Sequence, residues 1–443
     1  VTDMRYMFYG CETITSLDLT NFDTNNVEDM SFMFSECYNL KSILGLSKFN
    51  TGKVKDMSSM FKYCQRLESI DLSNFNTRNV INMNLMLSYC YGLTSLDLSH
   101  LVTDEVEDMS GMFESSNSLV EIKFGFNTKN VKFMNNMFKS CSSITSLVLS
   151  SFNTENVETM AYMFNTCRSL IHLDISNFNT KKVTDMEEMF SFSSSIKSLN
   201  LKNFDTSKVT LMRAMFNQCF SLTSLDLSSF TTSLVNNLAT MFCNCDSLAH
   251  IDLSSFDTSR VVHMTSMFSG CSSLISLDIS NFDTKKVERM DSLFKGCAKL
   301  TSLDLSKFHT NEANSLSYMF SDCSSLKKLD CSLFDTSKVS YMSEMFMGCT
   351  SLTSLDINNF DVSNVDFMNG MFKGCISLKS LNVLSFRKSK TTTIESLFVN
   401  CRNLTSIDLS NFDVDVKTMH NLFKNATFLE YIKIPKINNE HAL

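Results

Sequence analysis

Apolar residues along this chain keep time with a ruler of 26 residues. The Phe of each Met-Phe pair marks it, from Phe8 and Phe34 to Phe398 and Phe423, with Leu87 filling one rung, and thirteen of the sixteen steps are 26 residues long. One step is 27, with its extra residue in Ser42-Ile43-Leu44-Gly45; two are 25, near Phe124-Gly125-Phe126 and Val414-Asp415-Val416. Each unit holds two patterns. In L-x-S-L-D-L-S, apolar and polar residues alternate, so Leu17 and Leu19 point inward while Ser16 and Asp18 point out, as in a strand with one buried face. In V-x-x-M-x-x-M-F-x-x-C, apolar residues fall at i, i+3, i+6, i+7 and i+10, which predicts a short helix or a run of 3₁₀ turns. Asp/Asn-Thr pairs such as Asp23-Thr24 and Asp257-Thr258 bond nearby backbone N–H groups and make the corner without glycine.

One unit alone exposes its apolar side, so stability requires stacking on neighbours. The pattern therefore predicts an α/β repeat: a solenoid of the leucine-rich-repeat type with one continuous parallel β-sheet and short helical or 3₁₀ turns on the opposite side. It forms a single domain over residues 1–443, with about seventeen repeats, a truncated first unit at 1–25 and a closing strand and tail at 424–443. Leu429-Glu430-Tyr431-Ile432-Lys433-Ile434 repeats the strand pattern with charged outward residues, and the one proline, Pro435, follows it; this reads as a cap over the sheet edge. The start at Val1 falls inside a unit and brings neither an export signal nor an anchoring motif, so the chain reads as a segment of something longer.

Repetition replaces the two or three domains that 443 residues would otherwise suggest. It also accounts for an odd composition of 38 Phe, 29 Met and 16 Cys beside 11 Gly, 1 Pro and no Trp. Two columns hold 31 of the Phe, two hold 28 of the Met and one holds 14 of the Cys. A net charge of −8 gives no electrostatic footprint for nucleic acid, and no apolar run approaches the length of a membrane span.

The string V-x-x-M-x-x-M-F-x-x-C-x-x-L-x-S-L-D-L-S-x-F-D-T, clearest from Val261 to Thr284, resembles the repeats of BspA-like leucine-rich-repeat surface proteins of bacteria and protozoa. The resemblance covers the whole chain. It implies a cell-surface or secreted location, a role in adhesion and host contact, and a concave strand face as the place for partners.

Catalysis finds little footing. The seven His are scattered over different columns, and no H-E-x-x-H, G-x-S-x-G or phosphate-cradling glycine loop occurs. No enzyme activity, cofactor or metal site is expected. One Cys per coil lacks the paired spacing zinc needs. Bridges between adjacent coils would be within reach, but inward-pointing side chains and small residues in the gaps (Ser116, Ser193, Ala426) favour buried free thiols. Cys243, off the column, is expected to be the most reactive thiol, and Cys331, in place of a strand Leu, to be buried.

The outward strand face is the candidate site. Asp226, Asp252, Asp278, Asp304, Asp330 and Asp356 occupy one outward column on consecutive units, and Ser276, Ser302 and Lys328 lie two residues earlier on the same face. The competing reading is a solvated stripe that keeps the sheet soluble. Aromatic residues outside the core, with Tyr6, Phe32, Tyr162 and Tyr318 in one column and Phe133, Tyr341 and Phe367 in another, read as incidental because they lie mostly several coils apart. Two functions remain in view. One is a non-catalytic recognition or adhesion module that meets a protein or glycan partner on a host, matrix or neighbouring cell, self-association included. The other is a passive stalk or assembly element of a larger surface protein; an intracellular repeat scaffold is compatible with the thiol column.

Overall fold

The L-x-S-L-D-L-S stretches lie extended, and each stacks on its counterpart one unit later; Ser16, Leu17 and Asp18 face Ser42, Ile43 and Leu44 in parallel. The computed structural model describes residues 1–387, 391, 394–412 and 419–434. Two units are distinguished, Val1–Phe230 and Thr231–Leu443, and each is a β-solenoid of parallel coils. In the first, β1 (Ser16–Asp18) pairs with β2 (Ser42–Leu44), β3 (Ser95–Leu98) with β4 (Glu121–Phe124), and β5 (Ser146–Val148) with β6 (His172–Asp174). In the second, β7 (Lys328–Asp330) pairs with β8 (Ser354–Asp356) and β9 (Ser406–Asp408) with β10 (Tyr431–Lys433). Pro435 and the tail lie outside the described residues.

Two expectations need correction. The first is the continuous strand sheet, since the described strands pair only two by two. Ring packing supplies a reason. Phe residues just after the strands stack at 6.1–6.4 Å, as in Phe49–Phe75, Phe204–Phe230 and Phe308–Phe334, wider than the roughly 4.8 Å of hydrogen-bonded strands. On the Met-Phe side the rings are closer, at 5.3 Å for Phe34–Phe61 and 5.9 Å for Phe268–Phe294. The unbroken ladders run there. Single-residue parallel bridges link Asp3, Asp29, Asp56 and onward to Leu211 in the first unit, and Asn237 onward to Phe367 in the second.

The second correction concerns the helix. The amides of Met30, Phe32, Phe34 and Glu36 donate to the carbonyls of Asp56, Ser58, Met60 and Lys62 on the next coil, at 2.8–3.0 Å. The intervening amides of Met33, Ser35 and Cys37 donate three residues back, to Met30, Phe32 and Phe34. Alternate N–H groups thus leave the coil, and no i→i−4 series can form. Each coil instead makes successive turns with a left-handed residue two after the first Met and another four later, such as Phe32 (φ 57°) and Glu36 (φ 64°). Among the described residues 27 non-glycine residues take this conformation, while glycine supplies it at seven of the turn positions, Gly296 and Gly374 among them. An apolar spacing of three serves a turn ribbon as well as a helix. Among the described residues the one helical turn is Leu46–Lys48, at the 27-residue step.

Thr wires the corner. Thr24 Oγ1 donates to the Asn50 carbonyl at 3.1 Å and accepts the Asn50 N–H at 2.7 Å, and Thr284 does the same with His309. These Thr are buried beside Val, Met, Phe, Cys and Leu columns that are almost wholly excluded from water.

Candidate functional site

The Asp of the S-L-D-L-S stretch turns the chain after it, and it is the last residue of β1, β6, β7, β8 and β9. Asp226 Oδ1 in the first unit accepts the Ser228 N–H at 3.1 Å and its hydroxyl at 2.7 Å. In the second unit Asp252, Asp278, Asp304 and Asp330 each accept the N–H of the Ser two residues on at 2.9 Å, and Asp356 accepts from Asn358 at 3.1 Å. Each carboxylate therefore has a structural task as a turn-maker that does not depend on any partner. Those hydrogen bonds hold several of the carboxyls below their ordinary range. The hydroxyl of Ser228 is the leading cause at Asp226 and that of Ser332 at Asp330, while the backbone N–H of Ser280 and of Ser306 leads at Asp278 and Asp304. The Asp278 charge acts on Asp304 in the opposite sense, as expected of like charges on successive coils.

In the second unit the column is exposed from Asp252 to Asp330 and half-buried at Asp356. Ser276, Ser302 and Lys328 are exposed on the same face. Ser276 lies 3.5 Å from His250 Nδ1, and Lys328 pairs with Ser354 in the parallel register. Between Asp252 and Asp278 the surface dips into a cavity of about 100 Å³ lined by Ser254, Ser280 and Asn281. That is too small for a buried ligand of any size, so between these two coils the face offers a polar surface instead of a pocket.

The Cys column turns out to be a set of hydrogen-bond donors. Cys37 Sγ lies 3.1 Å from the Phe8 carbonyl on the preceding coil, Cys141 3.1 Å from Phe113, and Cys271 3.1 Å from Phe242. Where Ser takes the place, its hydroxyl makes the same bond: Ser116 to Leu87 at 2.8 Å and Ser193 to Phe164 at 2.6 Å. Burial pushes the thiols up, to about 11 at Cys37 and about 12 at Cys90, which leaves them protonated and able to donate. Cys331 is buried as the sequence implies, and Cys243 is half-buried with its thiol also raised by burial. Among the described residues no group of three or more His, Cys, Asp or Glu is arranged to hold a metal ion.

Reading columns separately missed one cluster. Six of the ten Tyr fall within the first 91 residues, and stacking brings their columns together. Tyr6 stacks on Phe32 at 4.7 Å and meets Tyr9 edge-on at 5.5 Å; Tyr38 lies 6.2 Å from Tyr63, which stacks on Tyr89 at 4.3 Å. Tyr341 and Phe367 likewise stack at 5.5 Å on adjacent coils of the second unit, so these aromatics are not isolated. The available signal was the crowding of Tyr into four successive units.

Set against known proteins, the chain matches the family described as Mycoplasma protein of unknown function, DUF285, over residues 2–123, 87–198, 120–224, 171–275, 237–354, 269–378 and 314–434. The overlap is what a repeat produces, because several registers of the ruler fit equally well. No curated protein matches. Among solved structures it is similar to a leucine-rich repeat protein of Bacteroides ovatus, 19% identical, with 86% of this chain and 82% of that one covered and a TM-score of 0.45. A leucine rich cell surface protein of Faecalibacterium prausnitzii is 16% identical over 99% of this chain and 84% of its own, with a TM-score of 0.30. A leucine-rich repeat protein of Eubacterium ventriosum is 17% identical over 79% and 83%, with a TM-score of 0.36.

Proposed function

We propose, for a chain that belongs to the DUF285 family of Mycoplasma proteins of unknown function, a non-catalytic recognition role at a cell surface, in which the outward strand face docks a protein or glycan partner. The observation that supports this reading is the row of exposed Asp and Ser in the second unit, at one position per coil over a buried core. A surface of this kind presents many weak polar contacts at fixed spacing, and such contacts add only when a partner spans several coils. Asp278, Asp304 and Asp330 carry the charge of the site, Ser276 and Ser302 its hydrogen-bonding hydroxyls, and Lys328 a cation in its midst. The same Asp residues serve their turns whether or not a partner binds, so fold and recognition share them.

The test is a binding screen of the protein against cell-surface glycans, matrix proteins and its own copy, run beside the triple variant Asp278→Asn, Asp304→Asn, Asp330→Asn. Asn still accepts the turn N–H, as Asn382 does from Leu384 at 3.1 Å, so the variant removes charge and leaves the turn. Salt-sensitive capture that the variant loses supports the strand face. Capture that the variant keeps unchanged assigns binding elsewhere, and no capture at all leaves the face a solvated stripe on a stalk.

A further inference from the structure

The Asp row is broken in the first unit. In most coils the carboxylate or amide after the strand Leu accepts the N–H two residues on, as Asp97 does from Ser99 and Asp174 from Ser176, both at 3.1 Å. On the coil of β5, Val148 stands in that place. The Ser150 N–H and hydroxyl are left with no partner among the described residues.

A cavity of about 530 Å³ opens at this point, between β4 and β5, which do not pair. Its origin is local. The repeat is one residue short near Phe124-Gly125-Phe126. A Cβ at Gly125 would collide with the Ser99 carbonyl oxygen, so glycine lets the chain after β4 lean on the preceding coil and away from the following one. Phe124, whose counterparts Leu98 and Leu149 are buried, is half-buried and lines the cavity with Ile122, Leu147 and Val148. Its ring is braced edge-on by Phe126 at 5.3 Å and Phe152 at 5.4 Å.

The repeat itself shows which group suits the Ser150 N–H, because on most other coils a carboxylate meets its counterpart. The surroundings favour one here. Asp278 lies between Asp252 and Asp304 on the flanking coils, whereas a carboxylate over Ser150 has Asp174 on one side and Lys123 on the other. Lys123 is available, since its pair with Asp97 is loose, 3.9 Å between two side chains more than half exposed. The apolar walls call for a carboxylate carried on an aliphatic or aromatic group, which a partner's Asp or Glu side chain does not bring. Glu121 is exposed on the cavity wall with no ion-pair partner among the described residues, and it calls for an N–H beside the carboxylate, which a plain carboxylic acid lacks. A chain end supplies all three, and its preceding residues fill a cavity larger than one free amino acid.

We propose that the cleft between β4 and β5 receives the C-terminal residue of a partner polypeptide, its carboxylate on the Ser150 N–H beside Lys123 and its apolar side chain over Phe124. The site does not depend on the Asp row of the second unit being a binding surface.

The probe is a dye-labelled pentapeptide of glycine and serine that ends in leucine with a free carboxylate. Amidation of that end, or alanine in place of the leucine, should weaken binding by about tenfold or more. Val148→Asn restores the repeat's own acceptor without adding charge, as Asn382 serves Leu384 at 3.1 Å. It should weaken binding by about tenfold or more at no cost in thermal stability. Val148→Ala leaves the Ser150 N–H free and should change binding by less than about threefold, while Lys123→Gln should weaken it by about tenfold. The Asp278→Asn, Asp304→Asn, Asp330→Asn variant should change it by less than about twofold, which separates this cleft from the strand face of the second unit. No binding of the free-carboxylate peptide, equal binding of the amidated one, affinity that Val148→Asn leaves unchanged, or free leucine competing as well as the peptide would each overturn the proposal.

Discussion

Replacing Ser292 with glycine should stabilise the second unit, although glycine usually weakens a fold. Ser292 sits at φ 58°, with its N–H donating to the Ser317 carbonyl of the next coil at 2.8 Å. An L-residue held in the left-handed region costs about 1–2 kcal/mol, and glycine loses about 0.5–1 kcal/mol in extra unfolded-state entropy, so the exchange should gain about 0.5–1 kcal/mol. The reverse change is Gly296→Ala, at φ 72°. A Cβ there would meet only Gly270 backbone at 3.5 and 3.6 Å, an ordinary contact, so the predicted loss of about 1 kcal/mol is conformational and not steric. Ser302, exposed on the strand face and outside the left-handed set, is the control, and Ser302→Gly should lose about 0.5–1 kcal/mol. Because coupling in stacked coils is nearest-neighbour, the assay is amide exchange read peptide by peptide, with the change expected in the coil carrying the substitution and its neighbours. If Ser292→Gly and Ser302→Gly lose protection equally, the left-handed turn account is wrong.

Cys141→Ser should fold with little loss, since Ser116 and Ser193 already make this bond. Cys141→Val should cost about 0.5–1.5 kcal/mol by removing the thiol's bond to the Phe113 carbonyl, which keeps the Ser116 N–H at 3.1 Å; urea titration of both variants checks it. Phe334→Ala should cost about 3–5 kcal/mol, because Phe334 stacks between Phe308 and Phe360 at 6.1 and 6.4 Å; exchange that rises evenly along the whole unit, instead of within a few coils, would contradict it. The strand-end carboxyls are held below their ordinary value in the folded state, so their contribution is full above the unfolded value near 4 and is lost as pH falls through the lower folded value. Thermal unfolding from pH 6 to about pH 2 should show this loss, and the Asp278→Asn, Asp304→Asn, Asp330→Asn variant should show less of it; identical pH profiles would refute the role given to these turns.

Much of this was legible in the sequence because packing in a solenoid is written as columns. The Phe, Met and Cys columns are the core, the alternation around Leu17 and Leu19 is extended, and Cys331 is buried where a strand Leu would stand. The turn ribbon was not legible. A spacing of three between Met30, Met33 and the next apolar residues fits a helix and a chain of turns alike. The left-handed positions carry Phe32, Glu36, Tyr63 or Thr166 as readily as glycine, so the usual marker is missing. What holds those residues is the neighbouring coil, which takes every second N–H, and that lies outside any one unit. The site divided in the same way. The Asp column announced itself, but its work as a turn-maker depends on the Ser two residues later. The tyrosine cluster stayed hidden because Tyr9, Tyr38 and Tyr63 stand in three different columns and meet only when coils are stacked.

The central claim is that each coil is wired to the next through turn amides and needs no helix, and far-UV circular dichroism of the purified protein tests it most directly. The described residues contain one helical turn, Leu46–Lys48, so the spectrum should show parallel-strand and turn signal with almost no helical contribution at 222 nm. A helical minimum accounting for the Val-to-Cys stretch of every coil would contradict the account.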